Sequence, residues 1–139
     1  MSRKLLAFAA YLLAGLVLLA DPGALAGPGD DTPEEGGPTV HCHAPSSISK
    51  TVSTIVVWGH VKNHGDFDDQ LIMVRNGQGV PITYSREYTQ PYSTVWDIKY
   101  TVTRNFTLNT GDSLLWQVAT DNYEDWYTYQ GQATTSVTN

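Results

Sequence analysis

The chain has 139 residues, and its 14 acidic against 8 basic side chains give a formal net charge of −6 at pH 7. This length is sufficient for one hydrophobic core but not for two domains. The negative charge repels phosphate backbones, and no cluster of Lys or Arg offsets it in the body of the chain. Nucleic acid is therefore a poor candidate partner.

The N-terminal segment has the three parts of a secretory signal peptide. Arg3 and Lys4 precede an apolar run from Leu5 to Ala20, and Ala24-Leu25-Ala26 has the small-x-small pattern that signal peptidase accepts. The apolar run is shorter than the roughly 20 residues that span a bilayer. We therefore predict a signal peptide over residues 1–26 and a secreted or extracellular protein, periplasmic if the source is bacterial.

A change of composition separates two further regions. Residues 27–38 read GPGDDTPEEGGP and contain no apolar side chain that could anchor them to a core, which predicts a flexible acidic linker. From Thr39 onward β-branched and aromatic residues dominate, without helical periodicity. We predict one folded domain over residues 39–139.

Short apolar or alternating segments predict strands throughout this domain. The clearest is 95–102, where Trp96, Ile98, Tyr100 and Val102 share one face. The predicted strands are 51–58, 71–75, 80–84, 95–102, 114–118 and 133–138. Turn sequences such as Asn76-Gly77 separate several of them. The pattern predicts an all-β fold, a small antiparallel β-sandwich of about seven or eight strands.

Two segments, 65–69 and 121–125, are rich in carboxylate and amide side chains. Calcium prefers six to eight oxygen ligands, so the two segments would form a credible site if the fold brought them together. The alternative is a pair of solvated turns, because Asp, Asn and Gly are common turn residues. The candidate metal ligands are Asp66, Asp68, Asp69, Asp121, Asn122 and Asp125.

Three stretches resemble the C-two domain, the calcium-dependent lipid-binding sandwich of protein kinase C, synaptotagmin and perforin. Residues 56–77 read VVWGHVKNHGDFDDQLIMVRNG and are similar to the first strands and acidic loop of that family. Pro91 followed by Trp96-Asp97-Ile98-Lys99-Tyr100 is similar to the family's Pro and Trp-Asn-Glu-x-Phe-x-Phe motif. Leu114 to Val118, Thr120 to Asp125 and Gly131 to Thr134 are similar to its closing segment, so the resemblance covers residues 50–138.

The resemblance implies a C-two-like fold, calcium ligands in both acidic segments and binding to membrane phospholipid. Calcium would bridge the loops to lipid phosphates, and exposed aromatic side chains would insert into the membrane interface or stack on a sugar. These aromatic residues are Phe67, Tyr123 and Trp126; the alternative for them is packing beneath the loops. The family's Asp-x-Asp positions are occupied here by Thr120 and Asn122.

Four histidines and the single cysteine lie close together in the sequence. His41, His43, His60 and His64 are suitable copper or zinc ligands, and His60 and His64 could converge in a loop, but scattered surface histidines are the preferred interpretation. For Cys42 we prefer a small buried thiol over an intermolecular disulfide. The oligomeric state is left open.

Carbohydrate binding is the main alternative function. Trp126-Tyr127-Thr128-Tyr129 follows the second acidic segment, and aromatic faces of this kind stack on sugar rings. A carbohydrate-binding or protein-interaction module would not require calcium. An enzyme, such as a small hydrolase, is not favoured because the sequence has no Gly-x-Ser-x-Gly elbow or recognisable nucleophile motif, and no catalytic residue is assigned. Asn105-Phe106-Thr107 is a glycosylation sequon, relevant only in a eukaryote.

Overall fold

Residues 36–122 and 128–139 are described by the structure, a computed structural model. Within them the chain forms nine strands and no helix, which confirms the all-β prediction. The strands are β1 (Thr39–His43), β2 (Ser47–Ser49), β3 (Thr54–Lys62), β4 (Phe67–Arg75), β5 (Gln78–Val80), β6 (Thr83–Tyr92), β7 (Val95–Thr103), β8 (Ser113–Asn122) and β9 (Thr128–Thr138). The predicted signal peptide and most of the predicted linker lie outside the described residues.

The strands form two sheets. Sheet I has the order β1-β3-β7-β6, and sheet II has the order β2-β9-β8-β4-β5. Every pair is antiparallel except β2 with β9, which is parallel. The two sheets enclose one main apolar core, so the predicted small β-sandwich is confirmed.

The core is formed by alternate residues of strands from both sheets. Ile98, Tyr100 and Val102 of β7 are buried and Trp96 packs against them, which confirms the alternation predicted for this strand. Leu114, Trp116 and Val118 contribute the same pattern from β8. Complete burial of one such aliphatic or aromatic side chain contributes about 1.5–3 kcal/mol, so these alternating faces hold the two sheets together. Cys42 is buried in the same core, as expected of a small apolar side chain.

Strand β4 is buried on both of its faces where it is apolar. Leu71 and Met73 belong to the main core, whereas Ile72 and Val74 belong to a second cluster on the other face of sheet II. The predicted strand 71–75 is thereby confirmed, and the structure shows its apolar part covered on both sides. The described residues contain no helix that is long and apolar enough to cross a membrane.

Two predicted boundaries were wrong. The predicted strand 80–84 is divided, since β5 ends at Val80 and β6 begins at Thr83. Pro81 lies in the break between these two strands. It has no backbone N–H and could not donate a hydrogen bond to a neighbouring strand. Strand β4 begins at Phe67 rather than at residue 71, because its pairing with β8 continues through Asp68 and Asp69.

The backbones of β9 and β1 approach closely at Gly131. A Cβ atom on this residue would lie 2.5 Å from the Val40 carbonyl oxygen and 2.7 Å from the His41 Cα, both backbone atoms that cannot rotate away. Gly131→Ala should therefore lower the free energy of unfolding by about 1–3 kcal/mol, the usual cost of overpacking. Urea unfolding measures this change. Gly37→Ala is the matched control, because a Cβ there meets no atom within 4 Å, and equal effects of the two substitutions would contradict the prediction.

Candidate functional site

The two acidic segments lie beside each other at one end of sheet II. Strands β4 and β8 are antiparallel neighbours, with Phe67 opposite Asn122, Asp68 opposite Asp121 and Asp69 opposite Thr120. The condition for a shared site, that the fold brings the two segments together, is therefore met for residues 67–68 and 121–122, whereas calcium binding there stays a prediction. Asp68, Asp69, Asp121 and Asn122 belong to strands rather than to loops.

The strand conformation separates the carboxylates of Asp68 and Asp69. Successive side chains of a strand point to opposite faces of the sheet. Asp69 faces sheet I, and its side chain is only 3% exposed. Asp68 lies on the opposite face of sheet II, together with its register partner Asp121. A single ion cannot take ligands from Asp69 and from this pair without a rearrangement of β4.

The buried Asp69 side chain is the centre of a hydrogen-bonded group, here called the Asp69 cluster. Its Oδ1 accepts a hydrogen bond from the Tyr88 hydroxyl at 2.6 Å. Its Oδ2 accepts one from the Tyr100 hydroxyl at 2.6 Å and one from Arg86 Nη1 at 2.7 Å. Arg86 Nη1 also donates to the backbone carbonyl of Asp69 at 3.1 Å. Both oxygens of Asp69 are thus engaged by donors from sheet I.

The Asp69 cluster joins the two sheets at the edge formed by β6. Arg86 and Tyr88 lie on β6, Tyr100 lies on β7, and Asp69 lies on β4 of the other sheet. Nearby, the Leu71 amide donates to the Tyr84 hydroxyl at 3.2 Å and adds a second link between β4 and β6. Charge-assisted hydrogen bonds of this kind are about twice as strong as neutral ones. The cluster therefore has a structural role in holding β6 against sheet II.

The Asp69 cluster changes the acidity of its members. Burial, together with the hydrogen bond to Asp69 and its negative charge, raises the pKa of Tyr88 to about 12. Burial and the charge of Asp69 raise the pKa of Tyr100 well above its usual value. For Arg86, burial lowers the pKa, but the charge of Asp69 and the hydrogen bond to it outweigh burial and raise the pKa above its ordinary value. All three side chains are therefore protonated donors at neutral pH.

These raised pKa values predict a loss of stability in alkali. A tyrosine whose pKa is higher in the folded state contributes stability that is complete below the unfolded pKa of 10.0 and is lost as the pH rises through the folded value. For Tyr88 this window is pH 10 to about 12, and for Tyr100 it extends higher. Urea midpoints measured between pH 8 and 12 should fall across this window. Tyr88→Phe should reduce the fall, and an unchanged pH dependence in this variant would contradict the assignment.

An open cleft of about 790 Å³ lies between the sheets at the end where the acidic segments begin. It is called the end cleft here. Its lining residues come from the β3–β4 connection and from β4, β6, the β6–β7 turn and β7. They are His64, Gly65, Asp66, Phe67, Tyr88, Gln90, Ser93 and Trp96. The volume falls within the range of small-molecule sites, about 300–1,000 Å³.

Aromatic side chains form much of the wall of the end cleft. Tyr88 and Trp96 meet edge to face, with ring centroids 6.4 Å apart. The ring of His64 packs against Phe67 at 5.2 Å and against Tyr129 at 5.1 Å. His64 Nε2 is also 3.0 Å from the Thr120 hydroxyl oxygen, which ties this part of the wall to β8. Asp66, Gln90 and Ser93 place polar groups beside these rings.

The predicted contact residues have different outcomes. Phe67 lines the end cleft and also packs against the main core, so the two alternatives considered for it are combined in one side chain. Asp66 also lines the end cleft. Tyr123, Asp125 and Trp126 lie outside the described residues. Sequence reasoning missed Tyr88, and it assigned Trp96 to the core alone.

The preferred interpretation of scattered surface histidines was wrong, because His41 and His60 are register partners on neighbouring strands and His60 is buried. His41 and His43 share one face of β1, as predicted, and His43 contacts His60 edge to face at 4.8 Å. His60 is buried, and its Nδ1–H donates to Asp97 Oδ1 at 2.6 Å. The suggested convergence of His60 and His64 was wrong, because the chain leaves β3 after Lys62 and carries His64 to the end cleft. Among residues 36–122 and 128–139, no three His, Cys, Asp or Glu side chains are grouped to hold a metal ion.

Comparison with known proteins supplies no family for this chain. No protein-family model matches the sequence, and a search of curated proteins found no significant relative. The C-two resemblance therefore stays a prediction.

Proposed function

We propose that this protein is a secreted, non-enzymatic module that binds carbohydrate in the end cleft. The observation that carries the proposal is the combination of three aromatic side chains with polar groups around one open cleft. Phe67, Tyr88 and Trp96 come from three different strands and line the same space. Sugar rings have apolar C–H faces that pack on aromatic rings and hydroxyl groups that need hydrogen-bond partners.

The polar groups beside these rings suit sugar hydroxyls. The Asp66 carboxylate can only accept hydrogen bonds, whereas the Gln90 amide and the Ser93 hydroxyl can both donate and accept. All three residues are exposed and line the cleft. A mostly aromatic wall with a few polar groups is the usual composition of a small-ligand site.

The end cleft also has a pre-organised wall. The Tyr88 hydroxyl is held by Asp69 at 2.6 Å, and the ring is still 49% exposed. A ring that is fixed before the ligand arrives loses little conformational freedom on binding, which favours affinity. Among the described lining residues Asp66 is the one carboxylate, whereas glycoside hydrolysis commonly needs two. This supports binding rather than cleavage.

Calcium-dependent lipid binding remains a second candidate for one specific reason. Asp68 and Asp121 lie directly opposite each other on neighbouring strands, and Asp121 is buried. Carboxylate oxygens are preferred calcium ligands, and these two carboxylates lie on one face of neighbouring strands. This candidate places the ion on the opposite face of sheet II from Asp69, and no part of the end cleft is needed for it.

Two binding measurements test these proposals. The full chain should be retained on one or more polysaccharides of an immobilised glycan panel in the presence of EDTA. Failure to bind any glycan would contradict the carbohydrate proposal. Calorimetric titration with calcium, followed by sedimentation with phosphatidylserine vesicles, should give a response only if the second candidate is correct.

A further inference from the structure

We propose, building on the carbohydrate-binding function, that the sugar unit in the end cleft carries a protonated amine, as in a glucosamine polymer. The aromatic walls alone do not determine the charge of the ligand. That charge is selected by the charged groups that line the end cleft and that are not already neutralised by a neighbour.

The end cleft offers a carboxylate for a cation. Asp66 lies at the exposed rim of the end cleft, and it makes no ion pair with any residue of the described chain. The rings of Tyr88 and Trp96 in the lining are the second attraction, because the negative face of an aromatic ring draws ammonium groups. A single protonated amine bound between Asp66 and these rings would make an ion pair with the carboxylate and a cation–π contact with a ring.

No described residue that lines the end cleft is a lysine or an arginine. Arg86, which lies two residues before Tyr88 on the same strand, is ion-paired with Asp69 at 2.7 Å. His64 is the basic group of the lining, and its two ring nitrogens face the Gly65 carbonyl and the Thr120 hydroxyl. An anionic sugar would therefore find no free permanent cation in this lining.

The charge of the whole chain acts in the same direction. A net charge of −6 on 139 residues attracts cationic polymers and repels uronic acids or sulfated sugars. This general attraction extends over about a Debye length, roughly 8 Å at physiological salt, and does not by itself identify a site. The site-specific part of the inference is the pairing of the amine with Asp66.

The test compares two tetramers, one with free amino groups and one in which these amino groups are acetylated and uncharged. Calorimetry of the full chain at pH 5.5 with tetramers of glucosamine and of N-acetylglucosamine should show about tenfold tighter binding of the free amine, as expected from one exposed ion pair and one cation–π contact. Asp66→Asn removes the ion pair but keeps the cation–π contact, so it should reduce this preference to about threefold. Glu87→Gln is the matched control. Glu87 is an exposed carboxylate on the same strand as Tyr88, but it does not line the end cleft, so this variant should keep the preference.

The outcomes separate this inference from the function on which it depends. Equal affinity for the two tetramers, or tighter binding of a galacturonic acid tetramer, would overturn the amine inference and leave carbohydrate binding intact. A preference that stays tenfold in Asp66→Asn would overturn the assignment to Asp66. Absence of binding to every glycan tested would contradict the carbohydrate proposal itself.

Discussion

Asp69→Ala is expected to lower the free energy of unfolding by about 3 kcal/mol. The substitution leaves the hydroxyl of the buried Tyr100 without the acceptor that it has at 2.6 Å. It also removes the acceptor of Tyr88 and the counterion of Arg86. A buried donor left without a partner costs about 1–3 kcal/mol, and Tyr100 contributes most because the other two donors are partly exposed and can turn to water.

Two variants control this prediction. Asp69→Asn keeps the shape of the side chain and one acceptor oxygen, so it should lose about half as much stability as Asp69→Ala. Asp66→Asn removes a carboxylate from an exposed position and should leave the urea midpoint unchanged. Tryptophan fluorescence follows the unfolding. If Asp69→Ala unfolded at the same urea concentration as the wild type, the structural role of the Asp69 cluster would be wrong.

Tyr88→Ala is expected to weaken glycan binding by about 30-fold or more. A tightly held aromatic ring at the centre of a binding surface commonly contributes about 2 kcal/mol or more, and Tyr88 supplies such a ring to the end cleft. Calorimetric titration with the best ligand of the glycan panel measures the loss. Affinity within threefold of the wild type would exclude Tyr88 from the site.

Tyr92→Ala is the matched control for this substitution. Tyr92 lies on the same strand as Tyr88, and the two residues are 48% and 49% exposed, but only Tyr88 lines the end cleft. Tyr92→Ala should therefore bind as the wild type does. Tyr88→Phe separates binding from stability, because it keeps the aromatic ring but loses the hydrogen bond to Asp69. This variant should retain most of the affinity and lose part of the stability.

The sequence predicted those parts of the fold in which burial follows a simple period. Strands β7 and β8 have apolar residues at every second position, and these residues are buried as expected. Strand β6 was largely missed because it is an edge strand whose residues are mostly exposed, so hydrophobic alternation is weak. The sequence of this strand did contain another indication. Tyr84, Arg86 and Tyr88 alternate on one face, and an arginine on a face that packs against the other sheet needs an acidic partner.

The sequence predicted two residues of the candidate site, Asp66 and Phe67, but not the aromatic wall that Tyr88 and Trp96 add to it. Composition indicated two acidic segments, and the register of β4 with β8 brings residues 67–68 beside residues 121–122. Which carboxylate faces the core depends on where β4 begins, and a shift of one residue would exchange the faces of Asp68 and Asp69. Long-range pairing determines that register, so spacing within the segment could not reveal that Asp69 is engaged by Arg86, Tyr88 and Tyr100.

Tyr88 belongs both to the Asp69 cluster and to the end cleft, which has a consequence for how this protein can vary. A substitution at Tyr88 alters ligand binding and fold stability together, so few replacements should be tolerated there. Asp66, Gln90 and Ser93 line the same cleft from exposed positions outside the core. We expect related sequences to adapt to different sugars by exchanging these three residues while they retain the tyrosine and its buried aspartate.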